Sequence, residues 1–284
     1  MSKRSWEDVR KRSVLSFAII ACVFLLVFFS QIFWMRIAVA LVILCLIASA
    51  AGELLLLARS REKSLSLAWP VAASVFLGVS FFLASQFSFF EKGPLFVFFC
   101  FSLLFFFINF LRVEGSLLRI SFSFFSLAYV ALPLSLIFLI LYSSAFDGRI
   151  WIAYLLTVTK MGDIAAYFGG KFFGKRKLAP LLSPKKTREG AIIGALMSVG
   201  MSFLFFYWGL FLSEKAFTLN WQESLWLGLL MSLAGQTGDL AESLLKRDAK
   251  IKESGWLPGL GGVLDMVDSL LFSIPLLYLF LISR

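Results

Sequence analysis

The sequence predicts an all-α, polytopic integral membrane protein with about nine transmembrane helices. Three observations carry that expectation. The 284-residue chain is 60% hydrophobic, with a mean hydropathy of +0.89. Its apolar runs reach the roughly 20 residues that cross a hydrocarbon core. Its 27 Lys and Arg fall in short clusters between those runs. The formal charge of +10 therefore reflects basic loops on one side of a membrane rather than a nucleic-acid partner. Histidine is absent, which removes imidazole acid–base chemistry and His metal ligation. Cys22, Cys45 and Cys100 each lie inside an apolar run, outside any CxxC pattern, and read as small apolar fillers.

The first 13 residues are polar, carry Lys3, Arg4, Arg10, Lys11 and Arg12, and precede an apolar run over 14–34. That run is too long for the apolar region of a secretory signal, and another follows almost at once, so it reads as a retained first span. The second span covers 37–58, with Glu53 near its end and Arg59, Arg61 and Lys63 beyond it. Spans three to five cover 66–86, 94–111 and 120–143; their many Phe residues are expected to face lipid. The sixth, 150–170, contains Lys160 and Asp163 and is the first to break the apolar rule. The last three cover 191–212, 225–245 and 263–282. With no repeat, linker or shift in composition, residues 1–284 read as a single membrane domain: 1–145 supply N-terminal helices and 146–284 the C-terminal helices carrying the site.

Alternating the loops between two sides tests this count. With the N-terminus in the cytoplasm, that side collects 21 basic residues: five at the N-terminus, three at 59–63, Arg112 and Arg119, seven at 171–188 and four at 246–252. The other side collects five: Arg36, Lys92, Arg149, Lys215 and Arg284. Such a bias predicts an N-terminus inside and a C-terminus outside. The same topology gathers Glu53, Asp163, Asp239, Glu242, Asp265 and Asp268 at the cytoplasmic boundary, although acid positions played no part in assigning it.

The stretch from Gly235 to Ser269 holds the strongest chemical signal. Asp239 and Glu242 stand near the end of one apolar segment, and Asp265 and Asp268 at the start of the next. Each pair has i, i+3 spacing, which puts both members on one helical face. An acid at the centre of a bilayer helix costs roughly 2.5 to 3.5 kcal/mol. Clustered carboxylates of this kind suit a hard cation, Mg²⁺ or Ca²⁺, and Mg²⁺ characteristically combines one or two carboxylates with phosphate oxygens. Two loops add anion-binding chemistry. The segment 171–190 holds seven basic residues with Ser183, Thr187 and Gly190, a mixture able to neutralise and orient a triphosphate, though it also reads as an ordinary positive-inside loop. Gly259, Gly261 and Gly262 form a glycine turn leading into the last span, either a simple helix start or a phosphate cradle. Lys246, Arg247, Lys250 and Lys252 can hold anionic groups or face lipid headgroups.

These motifs, taken in order, resemble the phosphatidate cytidylyltransferases, or CDP-diglyceride synthetases. The resemblance rests on G-D-x-x-A-Y-F-x-G at Gly162–Gly170, S-P-x-K-T-x-E-G at Ser183–Gly190, and G-D-x-x-E-S at Gly238–Ser243. It continues in S-L-L-K-R-x4-K-E-S-G-x-L-P-G-x-G-G-V-L-D-x-V-D-S at Ser243–Ser269. It covers roughly residues 150–284; the N-terminal half is similar mainly in hydropathy, with Glu53 at a position where the family often carries an acid. The family pattern has His where this chain has Leu260, Arg where it has Met266, and Asp where it has Glu253. The first two are positions at which nucleotide or pyrophosphate contacts would differ.

The resemblance implies an Mg²⁺-dependent nucleotidyltransferase of the inner cell membrane, facing the cytoplasm, that joins CTP to phosphatidic acid. A second cation, membrane lipids and a homodimeric assembly are compatible with it. It assigns Asp239 and Asp265 as metal ligands, supported by Asp268 and Glu242, and gives Lys186, Lys246 and Arg247 to phosphates. Asp163, Ser183, Thr187, Glu189, Gly259, Gly261 and Gly262 complete the substrate contacts. A CTP-dependent kinase of polyprenol or phytol type is the nearest alternative, and a cation-coupled transporter a more distant one. A degenerate member of the family without turnover is a third alternative.

Overall fold

The computed structural model of the chain describes residues 22–212, 216–250 and 262–284. Eight long helices follow a short helical stretch at 22–28. They are α1 (Phe33–Ala58), α2 (Ala68–Gln86), α3 (Gly93–Asn109), α4 (Ser116–Leu141), α5 (Gly148–Phe173), α6 (Arg188–Gly209), α7 (Trp221–Asp248) and α8 (Val263–Ile282). Six helical segments are long and apolar enough to cross a membrane: α1, α2, 88–109, α4, α6 and α8. That number, rather than nine, is what length and apolarity support among the described residues. The 26-residue α5 and 28-residue α7 occupy the sixth and eighth expected spans but carry the charged side chains of the site. Residues 14–21 of the first expected span lie outside the described residues, and the second starts at Phe33 rather than Ile37.

The Phe-rich helices behave as their composition suggests. Only Phe105 of α3 is buried, while Phe96, Phe99, Phe106 and Phe107 present their rings outward. Without water outside, a helix satisfies every interior backbone group and leaves apolar rings to meet lipid. The three cysteines are free and face outward from the helices.

The all-α class holds, with one short two-stranded ladder in a loop. Lys177–Ala179 (β1) and Ser183–Thr187 (β2) pair antiparallel, with Lys177 opposite Thr187 and Ala179 opposite Ser183. A polar linker outside the helices must pair its backbone groups, and a two-stranded ladder does so within the segment. Proline at 180 fits the turn, because it breaks helix and offers no amide hydrogen.

Polar contacts sort the loops into two ends. At one end, the Arg61 guanidinium binds the Asp248 carboxylate (3.0 Å from Nε) and its backbone carbonyl (2.9 Å). The buried Arg119 donates to Asn109 Oδ1 (2.7 Å), Ser64 Oγ (2.9 Å) and the carbonyl oxygens of Glu114 and Arg112. Ser64 also donates to Glu62 and holds that carboxyl below its ordinary range. At the other end, Arg36 reaches Gln86 (3.0 Å), Arg149 reaches the carbonyl of Phe28 (3.3 Å), and Arg284 reaches Glu223 (3.2 Å). There the Arg149 side chain also holds the Asp147 carboxyl below the usual range. Alternate loops thus meet one another, as an up-and-down bundle requires.

Small residues let the C-terminal helices approach closely, as packing in lipid favours. A Cβ on Gly194 of α6 would lie 2.8 Å from the Ala166 methyl and 2.9 Å from the Gly162 carbonyl of α5. A Cβ on Gly238 of α7 would strike the backbone carbonyl of Asp268 on α8. The second of these close approaches sets the register of the acids.

Candidate active site

The four carboxylates of α7 and α8 meet as two rungs, each taking one residue from each helix. Lys246 bridges Glu242 and Asp265, and the packing of Gly238 on the Asp268 backbone sets Asp239 beside Asp268. This follows from two antiparallel helices with i, i+3 acid pairs: a tight crossing at Gly238 aligns 239 with 268, and one turn further 242 with 265.

The first rung draws its counter-charges from other elements. Lys186 of β2 donates to Asp239 Oδ2 at 2.8 Å. Lys160 of α5 donates to Ser269 Oγ (2.8 Å) and to the Met266 carbonyl (3.2 Å), and its Nζ lies 3.8 Å from Asp163. A Cβ on Gly235 of α7 would lie 3.8 Å from Asp163 Oδ1 and 3.6 Å from Ser269 Cβ, so Asp163 belongs to this group. Lys160 stood out in the sequence only as a cation within a span; its position against α8 needed the tertiary structure. It also occupies the backbone of Met266, where the family pattern carries Arg.

The second rung is closed by its own helix. Lys246 donates to Asp265 and lies 2.9 Å from Glu242 Oε1, with Lys246 and Glu242 side chains only 13% and 6% exposed. That Glu242 oxygen is buried without hydrogen-bond geometry to any donor. Asp265 also accepts from the Gly262 amide at 3.2 Å. Beneath it lies a contact from the N-terminal half: the buried Glu53 of α1 accepts the amides of Val263 (2.9 Å) and Leu264 (2.8 Å). A carboxylate satisfies orphan donors at a helix N-terminus and complements its dipole, so Glu53 anchors the helix start that presents Asp265 and Asp268.

Other expected contacts have structural partners. Thr187 caps α6 by accepting from the Gly190 amide (3.2 Å), and Glu189 accepts the amides of Lys175 (3.0 Å) and Arg176 (3.1 and 3.2 Å). Together they shape the hairpin that carries Lys186. Arg247 donates to the Leu182 carbonyl (3.2 Å) and ties the end of α7 to the same hairpin. Ser183 is half-buried at the start of β2, opposite Ala179. Gly259, Leu260 and Gly261 lie outside the described residues; Gly262 opens α8 in extended conformation.

Among the described residues, no three or more acidic or Cys side chains converge as a ready-made metal cage. The donor set nevertheless fits a hard cation that shares its shell with a substrate. It is all oxygen, and each rung sets an acid of α7 beside an acid of α8.

Comparison with known proteins follows this geometry. A phosphatidate cytidylyltransferase of Chlamydia muridarum is 41% identical over 167 residues, 56% of this chain and 53% of that protein. One of Chlamydia pneumoniae is 39% identical over 168 residues, with the same coverage. One of Staphylococcus haemolyticus is 39% identical over 171 residues, covering 59% of this chain and 61% of the relative. The chain thus spans about half the length of the chlamydial relatives it matches. The sequence pattern of the cytidylyltransferase family matches residues 10–283, nearly the whole chain, and the protein belongs to that family.

Proposed function

We propose that this chain is a phosphatidate cytidylyltransferase of the inner cell membrane, converting CTP and phosphatidic acid to CDP-diacylglycerol and pyrophosphate at a site open to the cytoplasm. The observation that carries the reading is the double carboxylate rung between α7 and α8, bordered by Lys160, Lys186 and Lys246. It agrees with the names of the relatives and with a membrane-embedded, phosphate-handling chemistry. We extend the helices to nine spans with a cytoplasmic N-terminus, on the strength of the loop charge bias.

In the proposed reaction an anionic oxygen of the lipid phosphate attacks the α-phosphorus of CTP, a new P–O bond forms, and the bond to the β-phosphate oxygen breaks to release pyrophosphate. The nucleophile is already ionised near neutral pH, so positioning and charge neutralisation carry the catalysis and histidine is not needed. Asp239 and Asp268 would hold Mg²⁺, with Asp265 and Glu242 supporting it or a second cation; the metal would neutralise phosphate oxygens and developing charge. Lys186 would exchange its contact with Asp239 for a phosphate oxygen. Lys246 and Arg247 would hold further anionic oxygens beside the second rung.

The test is an assay of the purified full chain in detergent micelles with labelled CTP and phosphatidic acid. Label from the α-phosphate entering CDP-diacylglycerol, with release of pyrophosphate, is the expected outcome. Transfer of the γ-phosphate to a lipid alcohol would replace the proposal with a CTP-dependent kinase.

A further inference from the structure

Helix α4 passes through a π turn at Leu127–Ala131, where the Leu132 amide reaches back to the Leu127 carbonyl. Its cause is local. Pro133 has no amide hydrogen, so the Tyr129 carbonyl cannot receive the ordinary α-helical bond, and the backbone accommodates a wider turn. Such single-turn insertions often occur where a helix must aim a functional side chain. At this one the residue aimed is Tyr129.

The Tyr129 ring is fixed on two sides. It stacks on Phe125 at 5.0 Å and 5°, and meets Phe272 of α8 edge-on at 6.1 Å. Phe272 stands one turn beyond Asp268. The hydroxyl is buried and has no hydrogen-bond partner. Through Phe272 the ring rests on the helix that presents Asp265 and Asp268, and neither acid engages its hydroxyl. Phenylalanine would keep both aromatic contacts and bury no orphan hydroxyl, so packing gives no reason for tyrosine here.

We propose that Tyr129 contacts the substrate, its hydroxyl donating to a phosphate oxygen brought into the carboxylate site. This rests on the phosphatidate cytidylyltransferase reading for its substrates. A phosphate oxygen supplies the acceptor that the hydroxyl lacks, and the rigid Phe125–Tyr129–Phe272 arrangement makes the donor pre-organised. The N-terminal half of the chain would then take part in substrate recognition as well as in membrane packing.

The experiment compares the full-length parent with Tyr129→Phe in detergent micelles, measuring kcat and KM for CTP and for phosphatidic acid, together with Tm. Hydrogen bonds to charged groups imply a fall in kcat/KM of about 10- to 150-fold. Tm should be unchanged or higher, because no existing hydrogen bond is lost. A raised KM for phosphatidic acid alone would identify the lipid phosphate as acceptor, and a raised KM for CTP alone the nucleotide. Unchanged kcat/KM for both substrates would overturn the proposal, as would activity lost only in proportion to folded protein. Thermal shifts with CTP and with phosphatidic acid micelles separate this inference from the reading beneath it. If the parent makes no CDP-diacylglycerol, a ligand-induced shift seen in the parent and diminished in Tyr129→Phe still supports the phosphate contact. Equal shifts, or none in either protein, contradict it.

Discussion

The Asp239–Asp268 rung and the Glu242–Asp265 rung come from the same two helices, yet their charge is answered differently. The second is closed by Lys246 from its own helix, deep in the protein. The first relies on Lys186 from a separate hairpin, with Lys186 and Asp239 side chains 28% and 24% exposed. A counter-charge carried by a separate element can exchange for a substrate group without unravelling the helix that bears the acids. One built into the same helix turn is part of the fold. The comparison therefore assigns substrate exchange mainly to the first rung and shape mainly to the second.

The strongest way to break that comparison is to remove charge at equal shape. Asp239→Asn and Asp268→Asn should each lower kcat/KM by about 1,000-fold or more, since a lost ligand to a catalytic cation costs several kcal/mol of transition-state stabilisation. The two together should be little worse than either alone in micelle assays, because they act as a unit. Next in size is Gly238→Ala. Its methyl would meet the Asp268 carbonyl and push α7 from α8, and displacements near 1 Å cost about 100-fold in rate. Normal activity in Gly238→Ala would show that the rungs do not depend on this crossing.

Lys246→Met sharpens the contrast through stability. It would leave Glu242 and Asp265 without their cation, a loss of about 3–5 kcal/mol for a broken buried pair, visible as a lower Tm. Lys186→Met, at the more exposed rung, should change Tm little while reducing activity. Similar Tm losses in both variants would erase the distinction. The smallest effect is expected at Glu53→Gln. The amide keeps the shape but weakens two charge-assisted bonds to the start of α8, so a loss of about 1–3 kcal/mol should appear in denaturation, with a partial loss of activity.

The sequence made legible what depends on local pattern. Apolar runs marked the helices, basic loops marked the two ends, and i, i+3 spacing put the acids on common faces. The span 263–282 coincides with α8. It did not reveal which acid meets which, because spacing within a helix carries no register between helices. Asp239 sits beside Asp268 at a crossing set by Gly238, a register that no spacing within one helix encodes. The same limit hid Glu53's contact with α8 and Lys160's place beside Ser269, both made across more than 100 residues. Thr187 was more readable than its expected role suggested: a Thr before Arg188 and Glu189 at a helix start is a capping signal. The hairpin is hard to read because the seven basic residues of 171–190 outweigh its short strands.

The most direct measurement of the central claim is Mn²⁺ affinity, read by electron paramagnetic resonance on the detergent-purified full chain with CTP present and no lipid substrate. The account predicts that Asp239→Asn and Asp268→Asn weaken Mn²⁺ binding to a similar degree, and that Asp265→Asn weakens it less. Retention of Mn²⁺ in Asp268→Asn, with its loss in both Asp239→Asn and Asp265→Asn, would contradict the rung assignment and join Asp239 to Asp265 in a single clamp.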